Sequence, residues 1–167
     1  MFRTLLKFNR STALIALLAL SACATPDGAL VRPAAYAGDG IVKVQSAYGM
    51  DETIARIKAD IAAKGIMFFD AYDQQQLAAD ADIKLGPSTL LVFGNPALGS
   101  QFITANPNAG LDWPVRLLIT KDDSGQVWAA YTDFDAIAKR HRITDRDGAF
   151  KMASEVIGSI TSSVTAN

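Results

Sequence analysis

The sequence predicts an α+β fold: one compact two-layer domain with a mostly antiparallel sheet, covered on one face by two longer helices. Three observations predict it. Short apolar runs with strand character recur between Ile41 and Asp133. Only the first two of these runs are separated by a full helical period, so the repeating strand–helix pattern of a parallel sheet is missing. The last two flank "DDSG", residues 122–125, whose turn residues mark a hairpin. The expected order is β-α-β-(short α)-β-(short α)-β-β-α.

Each element has its own signal. Residues 41–48 (IVKVQSAY) alternate well enough for a strand. In residues 50–65 (MDETIARIKADIAAKG), Ile54, Ile57 and Ile61 share a helical face, Asp51 is the expected N-cap and Gly65 the expected stop. Residues 66–73 (IMFFDAYD) form an aromatic-rich strand, and residues 74–86 a short helix and a turn. Residues 87–94 (PSTLLVFG) are apolar on both faces, as in a strand flanked on both sides. Residues 95–107 (NPALGSQFITANP) read as one or two helical turns, and residues 134–141 (FDAIAKRH) as a short helix. The last helix is expected to start at "TDRD", with Thr144 capping and Asp147 completing an approximate capping box. Its buried stripe would be Ala149, Met152, Ala153, Val156, Ile160 and Val164.

The N-terminus is of another kind. Residues 1–22 place Arg3, Lys7 and Arg10 before a short apolar run and small residues, the order of an export signal. That run is about half the ~20 residues of a membrane span. It ends in "LSAC", which resembles the lipobox of bacterial lipoproteins, where an acyl-bearing group is attached to the cysteine before cleavage. Cys23 is the one cysteine of the chain, so it has no internal disulfide partner. The expectation is a chain anchored to the bilayer through acylated Cys23, with palmitate-like chains, since one chain alone holds weakly and two or three hold durably. Ala24 after the cysteine, by resemblance to lipoprotein sorting, points to the outer membrane facing the periplasm. Residues 23–40, rich in Ala, Gly and Pro, read as a flexible tether, and residues 41–164 as the domain.

Composition excludes several classes. Cleavage removes three of 16 basic residues and none of 17 acids, leaving a net side-chain charge of −4. Nucleic acid is therefore a poor partner. "KRHR", residues 139–142, is the one basic cluster and reads as a solvated face or helix end, with contact to anionic head groups the weaker alternative. His141, the one histidine, is read as a surface residue, and a metal site is not expected. No cofactor is implied.

"VFGNPALGSQ", residues 92–101, has the spacing of a phosphate loop in Gly94 and Gly99. A nucleotide loop needs Lys and then Ser or Thr after the second glycine. Here Ser100 and Gln101 follow, and Pro96 lacks an N–H, so no nucleotide is expected. The structural reading accounts for each residue: Gly94 where a Cβ does not fit, Asn95 as a cap, Pro96 at the first helical position.

The same region carries a family likeness. Phe93, Gly94, Asn95 and Pro96, a short helix, then Gly110, Leu111 and Pro114 entering a strand closely resemble the signature of the domain-of-unknown-function 302 family. "KGIMFFDAYD" and "LGPSTLL" resemble its preceding part, so the likeness runs from about Ile41 to Tyr131. The resemblance implies a compact α+β domain, often self-associating, with no established reaction. It also marks a departure: the family often has Asp then His at the end of the second strand, whereas this chain has Asp73 then Gln74. No role of that histidine carries over.

Four residues remain as candidates for a ligand site. Asp73 ends a strand where partial burial would raise its pKa, although capping the next turn explains it too. Arg116 interrupts an apolar strand; with a four-residue hairpin loop it faces Tyr131 in a cation–π contact. Asn95 sits where a pocket mouth would be. Two functions survive: a non-catalytic envelope lipoprotein that binds a small ligand, another envelope protein or its own copy, and, as the alternative, an acid–base enzyme of hydrolase or isomerase type using Asp73. The first needs no missing residue.

Overall fold

The five-residue connection between residues 121 and 127 can pair its flanking strands only with reversed direction, and every other neighbouring pair of the sheet is antiparallel as well. The computed structural model describes residues 35–36 and 40–166; the leader, Cys23 and most of the tether lie outside the described residues. The strands are β1 (Ala35–Tyr36), β2 (Ile41–Gln45), β3 (Met67–Asp73), β4 (Ser88–Gly94), β5 (Val115–Lys121) and β6 (Val127–Thr132). They form one sheet in the order β1-β2-β6-β5-β4-β3, with every neighbouring pair antiparallel. The helices are α1 (Met50–Ala63), α2 (Gln74–Ala79), α3 (Pro96–Ala105), α4 (Phe134–His141) and α5 (Asp147–Ser162), with a 3₁₀ segment at Pro107–Leu111. The α+β architecture is the one expected.

Register puts Val42, Leu91, Phe93, Leu117, Ile119, Val127 and Ala129 on one face of the sheet, and all are buried. Against them pack Ile57 and Ile61 of α1, Phe102 of α3, Ile137 of α4, and Phe150, Ala153, Ile157 and Ile160 of α5. Helix α1 ends as expected. Gly65, at φ +63°, lets its N–H reach Ala62 O and that of Ile66 reach Ile61 O, the paired bonds of a Schellman motif.

Five local expectations are corrected. The N-cap of α1 is Gly49, and Asp51 lies inside the first turn, where its charge complements the helix dipole. Helix α3 has ten residues, more than one or two turns, because Phe102 in its last half is drawn into the core. Helix α5 begins at Asp147 after Arg146, and Thr144 caps nothing. Ile143 is buried, and residues 144–146 turn the chain from α4 into α5. The buried stripe of α5 is rotated: Phe150, Ile157 and Thr161 are inside, while Met152 is 55% exposed and Val156 half-buried. Finally, Ala35 and Tyr36, placed in the tether, pair with Lys43 and Val42. Backbone pairing at the open edge of β2 needs no side-chain period, so it left no pattern to read.

The β5–β6 loop is longer by one residue than "DDSG". Lys121 pairs with Val127, Asp122 N–H donates to Gln126 O, and Gly125, at φ +86°, carries the extra residue. Asp122 organises this turn. Its Oδ1 accepts from Ser124 Oγ, Ser124 N and Gln126 N, and its Oδ2 from Trp128 Nε1. The hydrogen bonds from Ser124 and Trp128 hold its carboxyl down at about 2.

Candidate functional site

The residues of "FGNPALG" meet at one place because Trp113 needs room. Strand β4 ends at Gly94, and α3 starts at Pro96 with Asn95 as its cap: Asn95 Oδ1 accepts from Ala97 N at 3.0 Å and Leu98 N at 3.3 Å. The 3₁₀ segment then brings the chain back and lays the Trp113 indole across both glycines. A Cβ on Gly94 would stand 3.0 Å from Trp113 Nε1, and one on Gly99 would overlap the ring. The phosphate-loop spacing is thus a seat for an indole. Phe69 completes the seat. It is the bulged residue of β3, and its ring meets Trp113 edge-on at 6.1 Å and 80°.

Beside Trp113 lies an open, mainly apolar cleft of about 380 Å³ between α5, α3 and the ends of β4 and β5. Phe93 and Val115 line it from the sheet, Leu98 and Phe102 from α3, Trp113 from the segment before β5, Phe134 from the start of α4, and Met152, Ala153, Val156 and Ile157 from α5. Met152, 55% exposed, is the apolar residue of α5 that the core does not take, and Val156 packs against the core while also lining the cleft. Lys64 and Glu155 stand among the lining residues. Lys64 Nζ donates to both oxygens of Asp60 at 2.8 and 2.7 Å, so its charge is already matched, and Glu155 lies 3.9 Å from Lys151.

A second cluster sits at the other end of the 3₁₀ segment. Asp112, with a side chain 5% exposed, receives Arg140 Nη1 at 2.7 Å and Arg116 Nη2 at 3.3 Å on Oδ1. His141 Nε2 lies 2.6 Å from Oδ2 and donates, since an ionised carboxylate only accepts. Asn106 Nδ2 donates to His141 O at 2.8 Å. Burial, the largest influence on Asp112, opposes its ionisation, but the hydrogen bonds from His141 and Arg140 and their charges hold the carboxyl below its ordinary value of 3.8. This knot ties the 3₁₀ segment to α4. No group of three or more His, Cys, Asp or Glu able to hold a metal occurs among the described residues.

The four candidate residues do not converge. Asn95 alone lines the cleft. Asp73 is exposed and caps α2, accepting from Gln76 N at 3.0 Å, while Gln74, in the place of the family's histidine, accepts from Ser88 Oγ at 2.7 Å. Arg116 does not face Tyr131. The longer hairpin loop pairs Tyr131 with Leu117, which turns Arg116 to the opposite face, where it donates to Leu111 O and Asp112. Tyr131 is half-buried, and burial together with the charge of Asp133 raises its pKa. His141, expected at the surface, is 7% exposed and bonded to Asp112. Trp113, Asp112 and His141 were missed as site residues. The two glycines five apart, followed by a tryptophan, were the available signal for the first; no local pattern marked the other two.

Comparison with known proteins agrees with the fold. Residues 42–164 match the profile of the family described as "Domain of unknown function DUF302". A crystal structure of an uncharacterized conserved DUF302 protein from Bacillus stearothermophilus superposes with a TM-score of 0.69 at 13% identity, covering 75% of this chain and 98% of that one. Two curated relatives are the fluoride-specific ion channels FluC 1 of Brucella suis biovar 1 (strain 1330) and FluC 1 of Brucella abortus biovar 1 (strain 9-941). Each is 34% identical over 123 residues, covering 73% of this chain and 48% and 46% of theirs. This chain therefore spans just under half the length of those relatives. Among its described residues, no helix is long and apolar enough to cross a membrane.

Proposed function

The chain belongs to the DUF302 family, and from that premise we propose that it is a membrane-anchored envelope lipoprotein whose domain holds a small ligand without transforming it. The observation that carries this reading is the open apolar cleft of about 380 Å³ beside Trp113, within the size range of small-molecule sites. The exposed Met152 supports it, because an apolar residue of α5 outside the core forms part of the cleft wall. The acid–base alternative finds less support, since Asp73 is exposed and outside the cleft lining. Anchoring through acylated Cys23, at the outer membrane facing the periplasm, rests on the leader and lipobox. The Brucella relatives carry the name of ion channels, and a membrane setting for them supports a membrane setting here. Fluoride conduction is not part of this reading.

Self-association is a second reading with its own observation. Met67, Phe69 and Tyr72 of edge strand β3 are 52, 41 and 46% exposed, and such an edge invites a further strand. Native mass spectrometry of the purified lipoprotein separates the two. A monomer carrying a small-molecule adduct, diminished in Met152→Lys, is expected. A ligand-free oligomer of even stoichiometry would favour assembly.

A further inference from the structure

The cleft contains a polar feature that the apolar lining does not explain. The Trp113 indole N–H has no acceptor among the described residues, in contrast to that of Trp128, which donates to Asp122. It is also not sealed away: no polar side-chain atom among the described residues is both fully buried and unpaired. Trp113 Nε1 lies against Gly94 and Gly99, and all three residues line the cleft, so the donor stands at the cleft wall. Asn95 stands beside it. Its Oδ1 is occupied by the first turn of α3, leaving its amide N–H groups, which have no acceptor among the described residues. The cleft thus offers hydrogen-bond donors beside an apolar wall; water reaches them in the free protein, and a ligand that covers them without supplying an acceptor leaves them unanswered at a cost.

The charges at the rim decide what kind of acceptor fits. Lys64 is already matched by Asp60 and Glu155 stands 3.9 Å from Lys151, so the rim leaves no unmatched cation among the described residues to hold an anion. From this geometry we infer that the ligand is a neutral, mostly apolar small molecule carrying an acceptor oxygen, such as a ketone, ester or ether, that Trp113 Nε1 meets. The inference rests on the ligand-binding reading above. The volume is more than twice the ~150 Å³ that admits benzene, so a ring or branched chain with one oxygen has room.

The test uses the full chain, labelled at methionine methyl groups and indole nitrogens, and a matched pair of probes: 4-phenylbutan-2-one and n-butylbenzene. The Met152 methyl resonance reports occupancy of the cleft, whatever either probe does elsewhere. With the ketone, the Trp113 indole proton should move downfield as a new hydrogen bond forms, and that of Trp128 should stay. Trp113→Phe should weaken the ketone about tenfold, the equivalent of ~1.4 kcal/mol for one hydrogen bond, and change n-butylbenzene by less than about twofold. 4-Phenylbutanoate, with its charge, should bind more weakly than the ketone. If both neutral probes shift Met152 but Trp113→Phe affects them equally, or the wild-type indole proton does not move, the acceptor inference falls and the ligand site stands. If neither probe shifts Met152, the ligand-binding reading falls with it.

Discussion

Gly99 is the residue on which the site's geometry turns. A methyl group there collides with an indole that already lies against Gly94 and meets the Phe69 ring edge-on, so the ring can give way only by leaving its seat toward the cleft. Overpacking of this kind costs about 1–3 kcal/mol, and we expect Gly99→Ala near the top of that range and Gly94→Ala near the bottom. Urea denaturation of Gly99→Ala, Trp113→Leu and the double variant checks the cause. The double variant should lose less than the sum of the singles, and strict additivity would show that Trp113 is not what Gly99 makes room for. Asp112 supplies the second residue-scale prediction. Its folded pKa lies below the unfolded value of 3.8, so its ionisation stabilises the fold above that value. That contribution is lost as pH falls through the folded pKa. Asp112→Asn leaves a buried His141 and two arginines without their carboxylate and should cost about 3 kcal/mol at pH 7, the low end for a broken buried pair because both arginines are half exposed. The gap between variant and wild type should close as the pH is lowered below about 4, and a gap constant down to pH 2 would contradict the ionised knot.

Among the elements, α3 was legible to the residue at its start and misjudged at its end. Asn95 and Pro96 satisfy local rules of helix initiation that involve only their own neighbours. Asn95→Ala should remove two backbone bonds and cost ~1 kcal/mol by thermal or urea unfolding, with or without ligand. Equal stability of the two proteins would mean that water replaces the cap fully. The end of α3, the start of α5 and the rotation of its buried face depend on what lies opposite, and Phe150 stacked on Phe102 at 4.3 Å is a contact between helices that no window of sequence contains. The hairpin shows the same limit over a shorter distance. Its turn residues announced a reversal, but the loop length differed by one, and with a period of two a shift of one residue sent Arg116 to the other face.

For the whole molecule, the prediction that matters most concerns attachment. Acylation is the only membrane contact our reading assigns to the chain, so Cys23→Ser should release the protein from membranes in a detergent-free wash. Retention of the variant on membranes would require another anchor. The sheet also reaches into the tether through β1, where Ala35 and Tyr36 continue the edge beyond β2.

What the sequence determined by itself is whatever acts over a few neighbouring residues: the alternation and helical periods that yield an α+β fold, the cap at Asn95, the stop at Gly65, and the F-G-N-P and G-L-x-x-P elements that mark the family. The tertiary structure alone decided the partners. It brought Trp113 onto two glycines, buried His141 against Asp112 across 29 residues of chain, and left Met152 and Val156 facing a cleft. Local order follows from dihedral and hydrogen-bond rules written within each segment. A site is a convergence of distant segments, set by packing and register, and those are properties of the folded whole.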